Sequence, residues 1–345
     1  MSLVSWGIRQ VERGRVPDPV IRLAIRRITE GRRRSLPFDP DAIRRAEADF
    51  VAAMGRQPVA AVPQKANEQH YEVPAGFFGE VLGPRRKYSS CYYPEERTTL
   101  AEAEEAALAE TAVHASLADG QDVLELGCGW GSLSLWMAEH YRGSRITAVS
   151  NSASQRAHIE EEARRRGLTN LRVITADMNG FQAPATYDRI VSVEMFEHMR
   201  NWPELLRRVA AWLRADGRLF LHVFAHRTVP YFYADDGDQA WMARHFFSGG
   251  IMPSRGLIRH FSDVLDLEQE WWWNGRHYAR TAEDWLLNLD RHRSTVMPIL
   301  RVAYASDAAQ WFHRWRMFFL AVAEFFGYRD GEEWGVAHYR LRRPR

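Results

Sequence analysis

The stretch Val123-Leu124-Glu125-Leu126-Gly127-Cys128-Gly129-Trp130-Gly131 constrains the fold more than any other part of the chain. A short apolar run breaks into three alternating glycines, and Leu133, Leu135, Trp136 and Ala138 follow as a helical pattern. Strand, glycine turn and helix in that order open a ligand-binding α/β unit, because glycines let the backbone approach a ligand at a helix N-terminus. The spacing is G-x-G-x-G rather than the dinucleotide G-x-G-x-x-G, and an acid, Glu125, stands just before the turn. A purely structural tight turn uses the same glycines, so the order of the later elements has to decide.

That order alternates. Strand patterns at 123–127, 145–149, 171–175, 188–193 and 218–223 are separated by helical patterns at 131–141, 153–166 and 203–214. Such alternation predicts a parallel sheet with helices on both faces, an α/β fold. Ligands of these sheets sit outside the carboxyl ends of the strands, so the residues just after each strand carry the information.

Before this core lie a helical segment and a linker, residues 1–75. Residues 1–35 hold nine arginines against Glu12, Asp18 and Glu30. Asp18-Pro19 reads as an N-cap and first-turn proline, followed by Val20, Ile21, Ala24, Ile25 and Ile28 on one face. Arg22, Arg26 and Arg27 occupy the other face. A helix packed through its apolar side with a solvated basic side is expected in preference to one lying on acidic lipid. A looser, proline-bearing stretch at about 55–75 links it to an irregular aromatic segment, Tyr71 to Tyr93, that reads as a loop covering a ligand. Thr99-Leu100-Ala101-Glu102 is a capping box opening a helix to about Leu117.

The unit 76–225 is thus the expected ligand-binding core, and 226–345 a cap of aromatic insertion, helices and closing strands. Within the cap, 226–255 is rich in rings, Leu265 to Trp273 reads as a strand, helices follow at about 281–303 and 307–327, and a last strand at about 335–341. So many rings near the ligand edge predict a lid over an apolar substrate.

The 345 residues, 46% hydrophobic and 26% charged, suit a globular chain with a sizeable core. Two cysteines, Cys91 and Cys128, make neither a disulfide framework nor a zinc set, which favours a reducing compartment. The longest apolar candidate, Met317 to Ala323, is far short of a membrane span of about 18 residues. A cytoplasmic location without a signal peptide is the expectation. The net charge of +2 and the lack of a basic reading domain argue against nucleic acid. Membrane contact is not expected, and a homodimer is compatible with the sequence.

The second strand ends in Val149-Ser150-Asn151, where an NAD site would carry an acid for the ribose hydroxyls. Gln155, one turn on, is the nearest polar substitute. Glu-Leu-Gly-Cys-Gly-Trp-Gly, the acid-free Ser150…Gln155, the upstream Tyr88-Ser89 and the late Gly249-Gly250-x-x-Pro253-Ser254 together resemble the cyclopropane fatty acid synthase family of methyltransferases. The resemblance runs from about Tyr71 to the C-terminus. It implies a class I, Rossmann-like sheet and S-adenosyl-L-methionine (SAM) as cofactor. The cofactor residues would be Tyr88, Ser89, Glu125, Gly127, Gly129, Gly131, Ser150, Asn151 and Gln155, with Asp177 and Met178 at the adenine.

Within the family the chain is most similar to the coclaurine N-methyltransferase branch, which carries Lys-Tyr-Ser-Ser-Cys-Tyr, here 87–92, and Glu-Met-Phe-Glu-His-Met, here 194–199. The lipid-modifying members differ at three points. Their active-site cysteine aligns with Ser90, Cys91 lying one residue on. The residue matching Glu194 is usually not acidic in them. Their His-x-Ile appears as His222-Val223-Phe224. Their bicarbonate-holding glutamate, histidine and tyrosine would map to Glu197, His222 and Tyr278.

Glu194, Glu197 and His198 follow a strand end. On a helix starting there, positions i, i+3 and i+4 would share a face toward the ligand edge. An aliphatic amine is mostly protonated at neutral pH and must lose its proton to attack a methyl donor. A carboxylate can hold the ammonium, and a carboxylate or imidazole can take the proton. The expectation is a methyltransferase acting on a small apolar or aromatic amine, with unsaturated lipid acyl chains as the alternative substrate. No metal is expected.

Overall fold

The structure, a computed structural model, describes residues 3–61, 73–233 and 241–344. Most of the expected linker, the start of the covering loop at Tyr71 and part of the aromatic insertion lie outside the described residues.

Three helices come first: α1 (Leu3–Glu12), α2 (Asp18–Ser35) and α3 (Pro40–Met54). Helix α4 (Ala75–Val81) and α5 (Leu100–His114) precede the sheet. The capping box of α5 forms as its sequence predicts. The Thr99 N–H donates to Glu102 Oε2 at 2.8 Å, and the Glu102 N–H to Thr99 Oγ1 at 3.4 Å.

The core then runs β1 (Asp122–Leu126), α6 (Ser132–His140), β2 (Arg145–Ser150), α7 (Ala153–Arg165), β3 (Leu171–Thr175), β4 (Tyr187–Val193), α8 (Trp202–Trp212) and β5 (Leu213–His226). After it come β6 (Tyr231–Phe232), α9 (Trp241–His245), β7 (Ile251–Met252), β8 (Asp266–Asn274), α10 (Arg276–Arg291), α11 (Arg293–Tyr304), α12 (Ala308–Phe326) and β9 (Trp334–Arg342). Among the described residues the main sheet has the order β3-β2-β1-β4-β5-β9-β8. Strands β1 to β5 pair in parallel, and β9 is antiparallel to both neighbours. All five residues of β1 are buried, as in a sheet covered on both faces. The strand order reverses between β1 and β4, and a crevice opens there.

Three expectations about the helices fail. The helix expected at 281–303 is two helices, α10 and α11, broken at His292, whose Nδ1 lies 2.7 Å from the Glu80 carbonyl oxygen. The faces of α2 are also not as expected. Ile21 and, in part, Ile25 are buried against the body, but Val20 and Ile28 are about half exposed. The cause is charge. Arg22 donates to Glu283 and Glu324 at 2.8 and 2.9 Å, and Arg26 also pairs with Glu324. Glu324 is nearly buried, and such a carboxylate has to be paired. Arg22 therefore turns toward the body beside Ile21, Arg26 and Arg27 stay exposed, and part of the apolar face turns out. Asp18 is not the cap either. Pro17 holds that position, and Asp18 accepts from Arg316 at 2.9 Å.

Above the sheet, α4, α10 and α12 pack through Phe77, Phe78, Trp285, Trp315 and Phe319, all with at most 1% exposure. Each such ring contributes on the order of 1.5–3 kcal/mol by leaving water. These rings make a rigid roof over the carboxyl ends of the strands.

Candidate active site

The three glycines of the turn all have positive φ, at 80°, 51° and 84°. They serve different ends. A Cβ on Gly127 would stand 2.5 Å from Met195, and one on Gly131 2.6 Å from Ile159. At Gly129 nothing lies within 4 Å. Packing requires the outer two, and the middle one faces open space. That space is a cavity of about 1090 Å³ running from the turn, past Glu194 and His198, to the exposed side chains of Trp6, Val20 and Leu23. Phe224, Tyr231, Phe247, Phe318 and Phe326 are among its walls.

At the turn the walls hold polar atoms that lack partners. Ser150 Oγ donates to Gln155 Oε1 at 2.6 Å and accepts from the Ser152 N–H at 3.0 Å. This fixes the Gln155 amide, whose Nε2 is buried and unpartnered among the described residues. Ser132 Oγ, on the first residue of α6, is in the same state. Sequence reading passed over Ser132, although its place immediately after the glycine turn was a signal. Glu125 is buried in this wall and accepts from Ser134. Burial pushes its carboxyl up to about 7, although the Ser134 bond lowers it. A cradle that a Cβ at Gly129 would fill, with two orphaned polar atoms beside it, fits SAM.

The upstream loop closes over this region. Tyr88 and Ser89 line the cavity, and the Tyr88 ring packs between Phe78 and Trp285 at 5.1 and 5.5 Å. Lys87, fully buried, donates to Ser89 Oγ and the Ser90 carbonyl, both at 2.6 Å. Asn151 is half-buried at the end of β2. Asp177 is exposed at the end of β3, where it accepts from the Asn179 N–H at 2.9 Å, and Met178 is buried in the core. Asp177 and Met178 are not among the cavity walls.

Deeper in, three segments converge on Glu194. Its Oε1 accepts from the Ser90 N–H at 2.9 Å and lies 3.2 Å from His222 Nε2; its Oε2 accepts from the Tyr278 hydroxyl at 2.6 Å. Burial raises the Glu194 carboxyl above its ordinary range, against the opposing Lys87 charge and the Tyr278 and Ser90 bonds. Burial keeps Tyr278 a neutral donor and His222 a neutral ring. Glu197 is fully buried; its Oε1 accepts from the Phe224 N–H at 2.7 Å, and its Oε2 has no partner among the described residues. Burial, then the Glu194 charge, pushes the Glu197 carboxyl well up. His198 is half-buried on the cavity wall, its ring 4.6 Å from that of Phe247.

The helix face expected for Glu194, Glu197 and His198 does not exist. Residues Phe196–His198 make a single 3₁₀ turn, and Glu194 precedes it at φ 47°, in the left-handed region. That backbone costs on the order of 1–3 kcal/mol for a residue other than glycine. The carboxylate is thereby aimed at Ser90 and Tyr278.

A mostly parallel sheet, a glycine turn open to a cradle and a roofed chamber behind it define a SAM-dependent methyltransferase with the Rossmann-like fold. The family described as mycolic acid cyclopropane synthetase matches residues 61–331, and the chain belongs to that family. It is 37% identical over 340 residues to (S)-coclaurine N-methyltransferase of Thalictrum flavum subsp. glaucum, covering 96% of this chain and 93% of that one. It is 29% identical over 276 residues to cyclopropane-fatty-acyl-phospholipid synthase of Escherichia coli (strain K12), covering 79% and 67%. Among solved structures, a coclaurine N-methyltransferase bound to N-methylheliamine and SAH superposes with a TM-score of 0.96 at 35% identity, covering 99% of this chain and all of that one.

Proposed function

We propose that the protein transfers the methyl group of SAM to the nitrogen of a small, largely apolar aromatic amine, a cyclic benzylic amine being the type. The arrangement around Glu194 carries this reading. His222 and Tyr278 match two residues that hold bicarbonate in the lipid-modifying members. Here both meet the Glu194 carboxylate, so an anion belonging to the protein already fills that position. The cysteine of those members is Ser90, and burial pushes the neighbouring Cys91 thiol up and out of its nucleophilic state.

When bound, SAM supplies an electrophilic methyl on a sulfonium centre. Gly129 leaves room for it, Gln155 and Ser132 offer it hydrogen-bonding groups, and Tyr88 and Ser89 cover it. Glu194, whose ionised form the Lys87 charge and the Tyr278 and Ser90 bonds favour against burial, draws the substrate ammonium into the chamber. Among aromatic walls a separated charge pair is costly, so the proton passes from nitrogen to the carboxylate and leaves a neutral amine. Glu197, its carboxyl pushed well up by burial and by Glu194, backs the site as the weaker competitor for the cation. His198 faces the same chamber as a second acceptor. The rings exclude water from both groups.

Lipid acyl chains are the second reading, favoured by the apolar cavity that reaches the exposed side chains of α2. The test is methyl transfer from labelled SAM to a panel of tetrahydroisoquinolines, run beside unsaturated phospholipid vesicles with and without bicarbonate. Turnover of the amines alone is the expected result. Vesicle turnover that bicarbonate accelerates, with no amine methylated, would overturn it.

A further inference from the structure

The Glu194 carboxylate is one end of a continuous chain of hydrogen-bonded groups that crosses the sheet to the surface. His222 Nε2 faces Glu194 at 3.2 Å, and its Nδ1 lies 2.8 Å from His338 Nε2. His338 Nδ1 lies 2.8 Å from His114 Nδ1. His114 Nε2 lies 3.2 Å from Glu110 Oε2, and the Glu110 side chain is 43% exposed. Each ring therefore turns one nitrogen toward the chamber and the other toward solvent.

The placement comes from the fold. His222 on β5 and His338 on β9 are direct partners in the antiparallel ladder, and Glu110 and His114 are one turn apart on α5. The rings are clamped. His114 stacks on Trp271 at 3.9 Å, and His338 stands 4.2 Å from Trp273 and 5.1 Å from Phe220. His222 and His338 are wholly buried and His114 nearly so. Apolar residues could fill that space without the cost of desolvating three imidazoles. Burial lowers all three, His114 to about 4; Lys87 also opposes a charge on His222 and His338, and Arg340 one on His114. None of the rings holds a proton charge at rest, which suits groups that pass a proton on.

We propose that Glu194, His222, His338, His114 and Glu110 form a proton exit that restores the active-site carboxylate while the chamber is still occupied. The proposal rests on the amine reading, because only an ammonium substrate leaves a proton on Glu194. It starts with each ring donating outward. The Glu194 proton moves to His222 Nε2 as the His222 Nδ1 proton moves to His338 Nε2. The His338 Nδ1 proton moves to His114 Nδ1, and the His114 Nε2 proton to Glu110 and then to water. One proton leaves, each ring exchanges tautomers, and no charge remains inside. The tautomers return after product release, when a proton passes inward from Glu110 to Glu194 along the same path and Glu194 gives it to water in the open chamber, which closes the cycle.

The test is His338→Gln, which keeps a donor and an acceptor but cannot hand a proton through. Enzyme loaded with SAM is mixed with a tetrahydroisoquinoline in weak buffer containing a pH indicator, and proton release is timed against methyl transfer in the first turnover. In the wild type the two should coincide. In the variant proton release should lag by on the order of tenfold and follow product release, a smaller effect than loss of a direct acid–base group. His114→Gln, at the outer end, should do the same and carries the test if His338→Gln does not fold. A purely structural role would leave the timing unchanged, so coincident release in a folded variant would overturn the relay. If the wild type methylates no amine, the functional reading falls and the relay with it.

Discussion

The Tyr278 hydroxyl donates to Glu194 Oε2 at 2.6 Å from a residue 84 positions further along the chain. It reaches from α10 to the end of β4, tying the roof to the sheet at the point where the substrate nitrogen is proposed to sit. The bond holds a carboxylate whose backbone is already in the left-handed region. It also stabilises the ionised form that burial opposes.

Replacing Glu194 by Gln should lower kcat/KM for an amine by on the order of 10²–10⁴ and leave SAM affinity intact. Because burial raises the Glu194 carboxyl, the wild-type rate should fall with decreasing pH from a point above the ordinary glutamate range of about 4.3. Tyr278→Phe removes a bond that lowers this value, so its acid limb should move to higher pH. A pH–rate series on the three proteins checks both statements. An unmoved limb in Tyr278→Phe would detach Glu194 from the limb.

Gly129→Val should abolish SAM binding in a folded protein, because the new side chain points into open cradle. Gly127→Val should instead fail to fold, its side chain meeting Met195. Calorimetric titration with SAM, beside thermal denaturation, separates the two. Wild-type affinity in Gly129→Val would remove the turn from the cofactor site.

Removing residues 1–35 should destabilise the protein, although α2 leaves part of its apolar face in solvent. Glu324 would lose both of its guanidinium partners, at about 2 kcal/mol, between the values for an exposed and a buried pair. Loss of Ile21 and of the cavity rim adds to this. A denaturant midpoint equal to that of the full chain would contradict the ion-pair account of how α2 docks.

Local information fixed a great deal. The order of strands and helices from Asp122 to β5 was legible because apolar periodicity and the glycine turn act within a few residues. The Thr99 capping box was legible for the same reason. Glu194, His198 and Tyr278 stood out as motif residues and share the chamber. Tertiary structure alone decided what those residues face. That Ser90, His222 and Tyr278 meet on one carboxylate depends on the pairing of β4 with β5 and on where α10 lands. Neither is encoded at any short spacing. His114 and His338 were invisible as partners because a ladder register and a helix docked across it set their contact. The outward apolar face of α2 was misread for a related reason. Periodicity reports which residues share a face, but a carboxylate about three hundred residues away, Glu324, drew Arg22 toward the body and left Val20 and Ile28 outside.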